Sequence, residues 1–211
     1  MAQEAPDDIR IAVPRMPEAD ALLPYLRHID EARYYSNFGP LVREFEARMA
    51  AELGVAPAMV ATVSSGTQAL ILGLRAACVA PGTLCMMPAW TFSGRAHAAR
   101  EAGLIPYFVD VSPESWALSP EISGAALREA PEPVGAVMPV APFGAPIDYA
   151  AWDAFADETG IAIAIDAAAA FDAWPFVRAG YVRLGQAYAA SLSAIGGVSV
   201  MAGFGGDWAG T

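Results

Sequence analysis

The sequence predicts a three-layer α/β domain with a mainly parallel sheet. Three observations carry that expectation. Short apolar runs alternate with helix-like segments from Ala58 onward, 211 residues with 55% hydrophobic content suffice for one sizeable core, and neither an internal repeat nor a long linker interrupts the alternation. Such alternation is the βαβ rhythm of strands covered by helices on both faces.

Taken in order, the first 33 residues read as an N-terminal segment that is acidic and proline-bearing at its start, without the basic-then-apolar pattern of a secretory signal. From Pro40, Leu41, Phe45, Met49 and Leu53 recur every fourth residue and Gly54 follows, which predicts an amphipathic helix with an early proline and a glycine stop. The strand candidates are Met59 to Val63, Leu84 to Met87, Ile105 to Val109, Val134 to Val140 and Ile161 to Ile165. Between them, helices are expected at about Thr67 to Ala80, Phe92 to Ala102, Pro120 to Glu129 and Tyr149 to Thr159. Residues 34–183 thus form the α/β domain. Residues 184–211 are a glycine-rich segment in which charge disappears and glycine and serine take over. Within it, Leu184 to Gly206 is uncharged for 23 residues, the length of a membrane span, but six glycines dilute its apolarity and favour strand and loop.

Charge and cysteine usage exclude several functions. Arginine supplies all 12 basic Lys/Arg residues, against 23 acidic ones, for a net charge of -11; the surface field repels polyphosphates, and nucleic acid is not an expected partner. Cys78 and Cys85 lie seven residues apart in or beside apolar stretches, which suits reduced core thiols rather than a disulfide or metal site, and a cytoplasmic chain.

Three short motifs carry chemistry. Ser64-Ser65-Gly66-Thr67 joins a strand to a helix, so it serves either as a phosphate cradle, with backbone N–H groups, hydroxyls and the helix N-terminus facing an anion, or as an ordinary helix cap. Trp90, after Pro88, sits at a strand's C-terminal end, where open α/β sheets place ligands; its ring either stacks on a flat heteroaromatic group or fills a core or interface. Asp166 closes the run Ile161 to Ile165 and emerges at the same edge, either to hold a heteroaromatic nitrogen protonated or to cap a helix.

Together and in this order, these elements resemble the DegT/DnrJ/EryC1/StrS family of pyridoxal-phosphate-dependent sugar aminotransferases, from Tyr34 to about Phe171. Ser36-Asn37-Phe38-Gly39-Pro40 looks like the family's entry segment, Ser65 to Leu70 like its phosphate turn, and Pro88-Ala89-Trp90-Thr91-Phe92 like its ring-stacking motif. The resemblance implies a fold similar to the family's large domain, pyridoxal 5'-phosphate as cofactor, and a homodimer. The implied reaction is amino transfer from an amino acid to a keto-sugar nucleotide. It assigns Ser65, Gly66, Thr67 and Ser191 to the phosphate, Trp90 to the ring face and Asp166 to the ring nitrogen.

Departures from the pattern are as informative. Ala169 stands where the family has a glutamine or histidine that bonds the ring hydroxyl, Ser193 where it has a histidine, and Gly196 where it has the imine-forming lysine. The 211 residues contain no lysine. Imine chemistry needs an uncharged amine, which arginine cannot supply because its guanidinium stays protonated. His28 and His97 lie far from position 196, so the histidine used by the family's dehydratases has no counterpart either. The family's smaller C-terminal domain has no counterpart before Thr211. The sequence therefore predicts a catalytically impaired relative, a pseudoenzyme, that holds the cofactor noncovalently or serves in subunit pairing. No covalent attachment and no catalytic residue are expected.

Overall fold

A computed structural model describes residues 16–53, 56–170, 188–194 and 198–204. In chain order the elements are α1 (Ala19–Ala32), α2 (Pro40–Leu53), β1 (Val60–Val63), α3 (Gly66–Ala76), β2 (Leu84–Pro88), α4 (Gly94–Glu101) and β3 (Ile105–Val109). They continue with α5 (Pro120–Glu129), β4 (Val134–Val137), α6 (Tyr149–Thr159), β5 (Ala162–Ile163), β6 (Tyr188–Ala194) and β7 (Val198–Phe204). The chain divides into two compact units, residues 1–44 and 45–211. The first contains α1, a helix with no buried residue, closed at Arg33 by a left-handed cap whose N–H donates to the Ile29 carbonyl. This helix lies in the segment to which the sequence assigned no structure. Pro24 lies inside this helix, where it lacks the N–H that would donate to the Asp20 carbonyl one turn earlier.

In the second unit, β3-β2-β4-β5 form a four-stranded sheet, parallel throughout. Its central strand β2 is buried at all five positions, the signature of a strand covered on both faces. Side chains leave it alternately: Met86 joins a cluster with Val137, Ile163 and Ile165 beneath α5 and α6, while Cys85 and Met87 join Ala136, Ala162 and Ala164 beneath α3 and α4. The period-two split across one strand makes the three layers. Among the strand residues, Ala136, Ala162 and Ala164 face α3 and α4, and Val137, Ile163 and Ile165 face α5 and α6.

Local chemistry places the helix starts. Ser65 Oγ accepts from the Gln68 N–H at 3.1 Å, Ser119 Oγ from Ile122 at 3.3 Å ahead of Pro120, and Asp148 Oδ1 from Ala151 at 3.0 Å. α5 and α6 occupy the residues expected from the sequence, whereas α3 starts one residue early and ends at Ala76, and α4 begins only at Gly94, after a bend at Trp90 and Thr91.

Three expectations require correction. β1, expected in the parallel sheet, instead pairs antiparallel with β7, which pairs antiparallel with β6, giving a second sheet of order β1-β7-β6. The glycine-rich segment thus contributes two strands. The run Ile161 to Ile165 is a ladder only at Ala162–Ile163, and Val134 to Val140 only to Val137; beyond these, a single parallel bridge joins Val140 to Asp166 as the strand ends open toward the loops. Cys78 is exposed, not core: it sits past the end of α3 with φ 52°, while Cys85 is buried and its thiol is pushed up to about 12 by desolvation. No helix among the described residues is long and apolar enough to cross a membrane.

Candidate functional site

The C-terminal ends of β2, β4 and β5 meet at one edge of the parallel sheet. From β2 the chain passes through Ala89, whose N–H donates to the Val109 carbonyl at 2.8 Å, and reaches Trp90. Past β4, the Ala141 N–H donates to the Asp166 carbonyl and the Asp166 N–H to the Pro139 carbonyl, at 2.9 and 2.8 Å. These bonds carry Asp166 to the same edge and leave it 5% exposed.

A cavity of about 540 Å³ opens there, lined by Trp90, Thr91, Phe92, Arg95, Phe143 and Ala169, together with Ala89 and residues 140–142. Its volume lies within the range of small-molecule sites. Trp90 is half exposed and meets Trp116 edge to face, with centroids 5.1 Å apart and planes at 72°, an arrangement that fixes the indole while leaving area open. Trp116 was not singled out by the sequence; its partnership depends on a turn in which it adopts φ 58°.

The turn at α3 lies beside the start of α4. A methyl group added at Gly94 would come within 2.9 Å of Thr67 Oγ1, so the two helix N-termini converge. Ser65 is exposed, with its hydroxyl used as a cap, and Gly66 and Thr67 form the first helical residues. Of this first turn, the Gln68 N–H is taken by the Ser65 cap, and the helix dipole favours an anion at this end.

Both carboxylate oxygens of Asp166 are engaged. Its Oδ1 accepts from the Ala168 N–H at 3.0 Å, and its Oδ2 lies 2.5 Å from Nη2 of Arg95. Both side chains of this ion pair are almost fully buried, at 10% and 6% exposure. Arg95 Nη1 also donates to the Phe92 carbonyl at 3.4 Å, whereas its Nε and the Thr91 hydroxyl are buried with no hydrogen-bond partner. Arg95 was not legible as a site residue: it lies in a helix 71 positions before Asp166, and only the fold joins them.

Of the residues expected at the site, Trp90 and Asp166 come to one edge, and Ser65, Gly66 and Thr67 to the adjoining helix start. Ala169 lines the cavity, exposed and without a side-chain donor. Ser191 lies in β6, and Gly196 falls outside the described residues. His97 is exposed on α4, and no cluster of three metal-ligating side chains occurs among the described residues.

Comparison with known proteins agrees with this architecture. Residues 18–176 match the model of the DegT/DnrJ/EryC1/StrS aminotransferase family. The chain belongs to that family. The match begins upstream of Tyr34 and takes in α1. The chain is 33% identical over 156 residues to 3-amino-5-hydroxybenzoate synthase of Amycolatopsis mediterranei, covering 74% of this chain and 39% of that protein. Over 106 residues it is 34% identical to the putative pyridoxal phosphate-dependent aminotransferase EpsN of Bacillus subtilis, covering 50% and 27%. A DegT/DnrJ/EryC1/StrS aminotransferase structure from Brucella abortus superposes with a TM-score of 0.71 at 27% identity, covering 90% of this chain and 52% of that one. The family member described here thus spans about two fifths of the first of these relatives and about half of the solved structure.

Pyridoxal phosphate, the cofactor implied by the family, fits this edge in part. The α3 N-terminus suits its phosphate and the open face of Trp90 suits its ring. The ring nitrogen fits poorly, because the carboxylate that would receive it is ion-paired with Arg95, which lines the cavity where Asp166 does not. An ε-amine for its aldehyde is missing from the 211 residues altogether.

Proposed function

We propose that this chain is a catalytically impaired member of the aminotransferase family that holds pyridoxal phosphate, or its aminated form, without a covalent link. One observation carries the proposal: the first step of the family's chemistry condenses an amine with the cofactor's aldehyde, and these 211 residues offer no lysine. The phosphate and ring-face elements are retained, which supports a binding role. The coupled transfer of an amino group to a keto-sugar is not assigned to these residues.

In this proposal Gly66 and Thr67 position the phosphate with backbone N–H groups and a hydroxyl, and Trp90 limits water on one ring face. Thr67→Ala is expected to weaken cofactor binding by about 1 kcal/mol, roughly fivefold, as for one neutral hydrogen bond. Equilibrium dialysis against labelled cofactor, with inorganic phosphate as competitor, checks this. Unchanged affinity would remove the turn from the site.

The main test is covalent trapping. The purified chain is mixed with pyridoxal phosphate, reduced with borohydride, digested and mapped by mass spectrometry. No pyridoxyl group is expected on any internal residue, and the visible absorbance should leave on dialysis. A stable adduct away from the N-terminal amine would end the noncovalent reading.

A pairing role draws on a second observation. Trp90, Phe92 and Phe143 line one cavity yet are 52%, 72% and 80% exposed, more aromatic surface in one place than isolated chains usually leave bare. A second copy of the chain is the proposed cover, and light scattering of the purified protein reports it. The exposed thiol of Cys78 and the free thiol of Cys85 suit a reducing compartment, so the cytoplasm belongs to the same proposal.

A further inference from the structure

The poor fit at the ring nitrogen has a specific cause in this chain. Arg95 lines the cavity and Asp166 does not, so a ring entering the cavity meets the guanidinium first. Asp166 Oδ2 is 2.5 Å from Arg95 Nη2, and Oδ1 is taken by the Ala168 N–H.

A carboxylate keeps a heteroaromatic nitrogen protonated by stabilising the positive ring with its own charge. A guanidinium at contact distance cancels that charge, and it cannot yield by deprotonating, because arginine stays cationic. Displacing Arg95 is also unfavourable. Its Nε is already buried without a partner, so a ring N–H that took over Oδ2 would leave a buried cation with fewer bonds still. Arg95 therefore outcompetes the ring.

We propose that Arg95 is a specificity-determining residue: by occupying Asp166 it makes the site accept a neutral aromatic ring and refuse to favour a protonated one. This rests on the proposal that the cavity takes pyridoxal phosphate. It goes beyond the missing lysine, because it concerns the electronic state of the bound ring rather than its covalent attachment. A ring kept neutral withdraws electrons weakly, so the site is unsuited to amino transfer even if an external amine supplies the imine.

The test compares two probes, pyridoxal phosphate and its deaza analogue, in which the ring nitrogen is replaced by C–H. Their dissociation constants are measured by equilibrium dialysis with the full chain. The wild-type chain is expected to bind both within about threefold of each other. A site pairing Asp166 with a protonated nitrogen would favour pyridoxal phosphate by roughly tenfold or more, the strength of a hydrogen bond to a charged group. In Arg95→Met, which removes the guanidinium from Asp166, the preference should rise to that level, and in Arg95→Lys, which keeps a cation beside Asp166, it should stay near one.

Tenfold discrimination by the wild-type chain overturns the inference, as does a ratio near one in folded Arg95→Met. If Arg95→Met does not fold, the wild-type and Arg95→Lys ratios decide. Binding of neither probe, by contrast, removes the cofactor proposal itself and the inference with it, an outcome distinct from binding with discrimination.

Discussion

Asp166→Ala is expected to destabilise the fold by about 3–5 kcal/mol, the penalty for leaving one member of a buried ion pair without its partner. The variant strands Arg95, 8% exposed, beside an apolar sheet edge, with Nε already unpartnered and only the long bond from Nη1 to the Phe92 carbonyl remaining. It also removes the acceptor of the Ala168 N–H. For a chain of this length the loss corresponds to a fall in Tm of about 6–20 °C. Urea denaturation followed by circular dichroism gives the value directly. The double variant Asp166→Ala with Arg95→Met should lose less than the sum of the two single changes, because the second removes the charge that the first orphaned. A loss under about 1 kcal/mol for Asp166→Ala would show that the pair is solvated in solution, contrary to its burial, and would reopen Oδ2 to a ligand.

The second large effect is expected at Gly144, on the loop that borders the cavity. Its φ is +84°, and a Cβ built there would stand 2.7 Å from the Ala169 carbonyl oxygen. Neither partner can rotate away, since both are backbone. Gly144→Ala should therefore lose about 1–2 kcal/mol for the left-handed conformation and about 1–3 kcal/mol for the overlap. Gly82→Ala is the control: it has a similar φ of +81° and nothing within 4 Å of the added methyl, so it should show the conformational part alone. Equal losses in the two variants would mean that the Gly144 loop and the Ala169 segment do not touch in solution. A larger loss at Gly144, accompanied by weaker cofactor binding, would tie the cavity's shape to that contact.

Much of the fold was legible because its signals are local. Ser119 with Pro120 and Asp148 mark the starts of α5 and α6, and Gly160 the end of α6 with a left-handed cap, each acting within a few residues of itself. The βαβ order followed from alternating apolar runs, and strand β3 occupies the expected residues Ile105–Val109. Helix α1 was not legible: Leu22, Leu23 and Leu26 make a stripe, but Pro24 and the acidic residues around it mimic a loop. Nor was the direction of β1, since a four-residue strand pairs equally well either way and the partner, β7, lies about 140 positions on.

The candidate site divides along the same line. Residue types and spacing alone established the phosphate turn, the tryptophan and aspartate at strand ends, and the absence of any ε-amine, because these are properties of single positions or of short segments. Only the tertiary structure decided that Asp166 would meet Arg95, that Trp116 would brace Trp90, and that the Gly144 backbone would lie against the Ala169 carbonyl. Such pairings form between segments tens of residues apart, and side-chain chemistry names what a residue can bond but not which distant neighbour the packed sheet will bring to it.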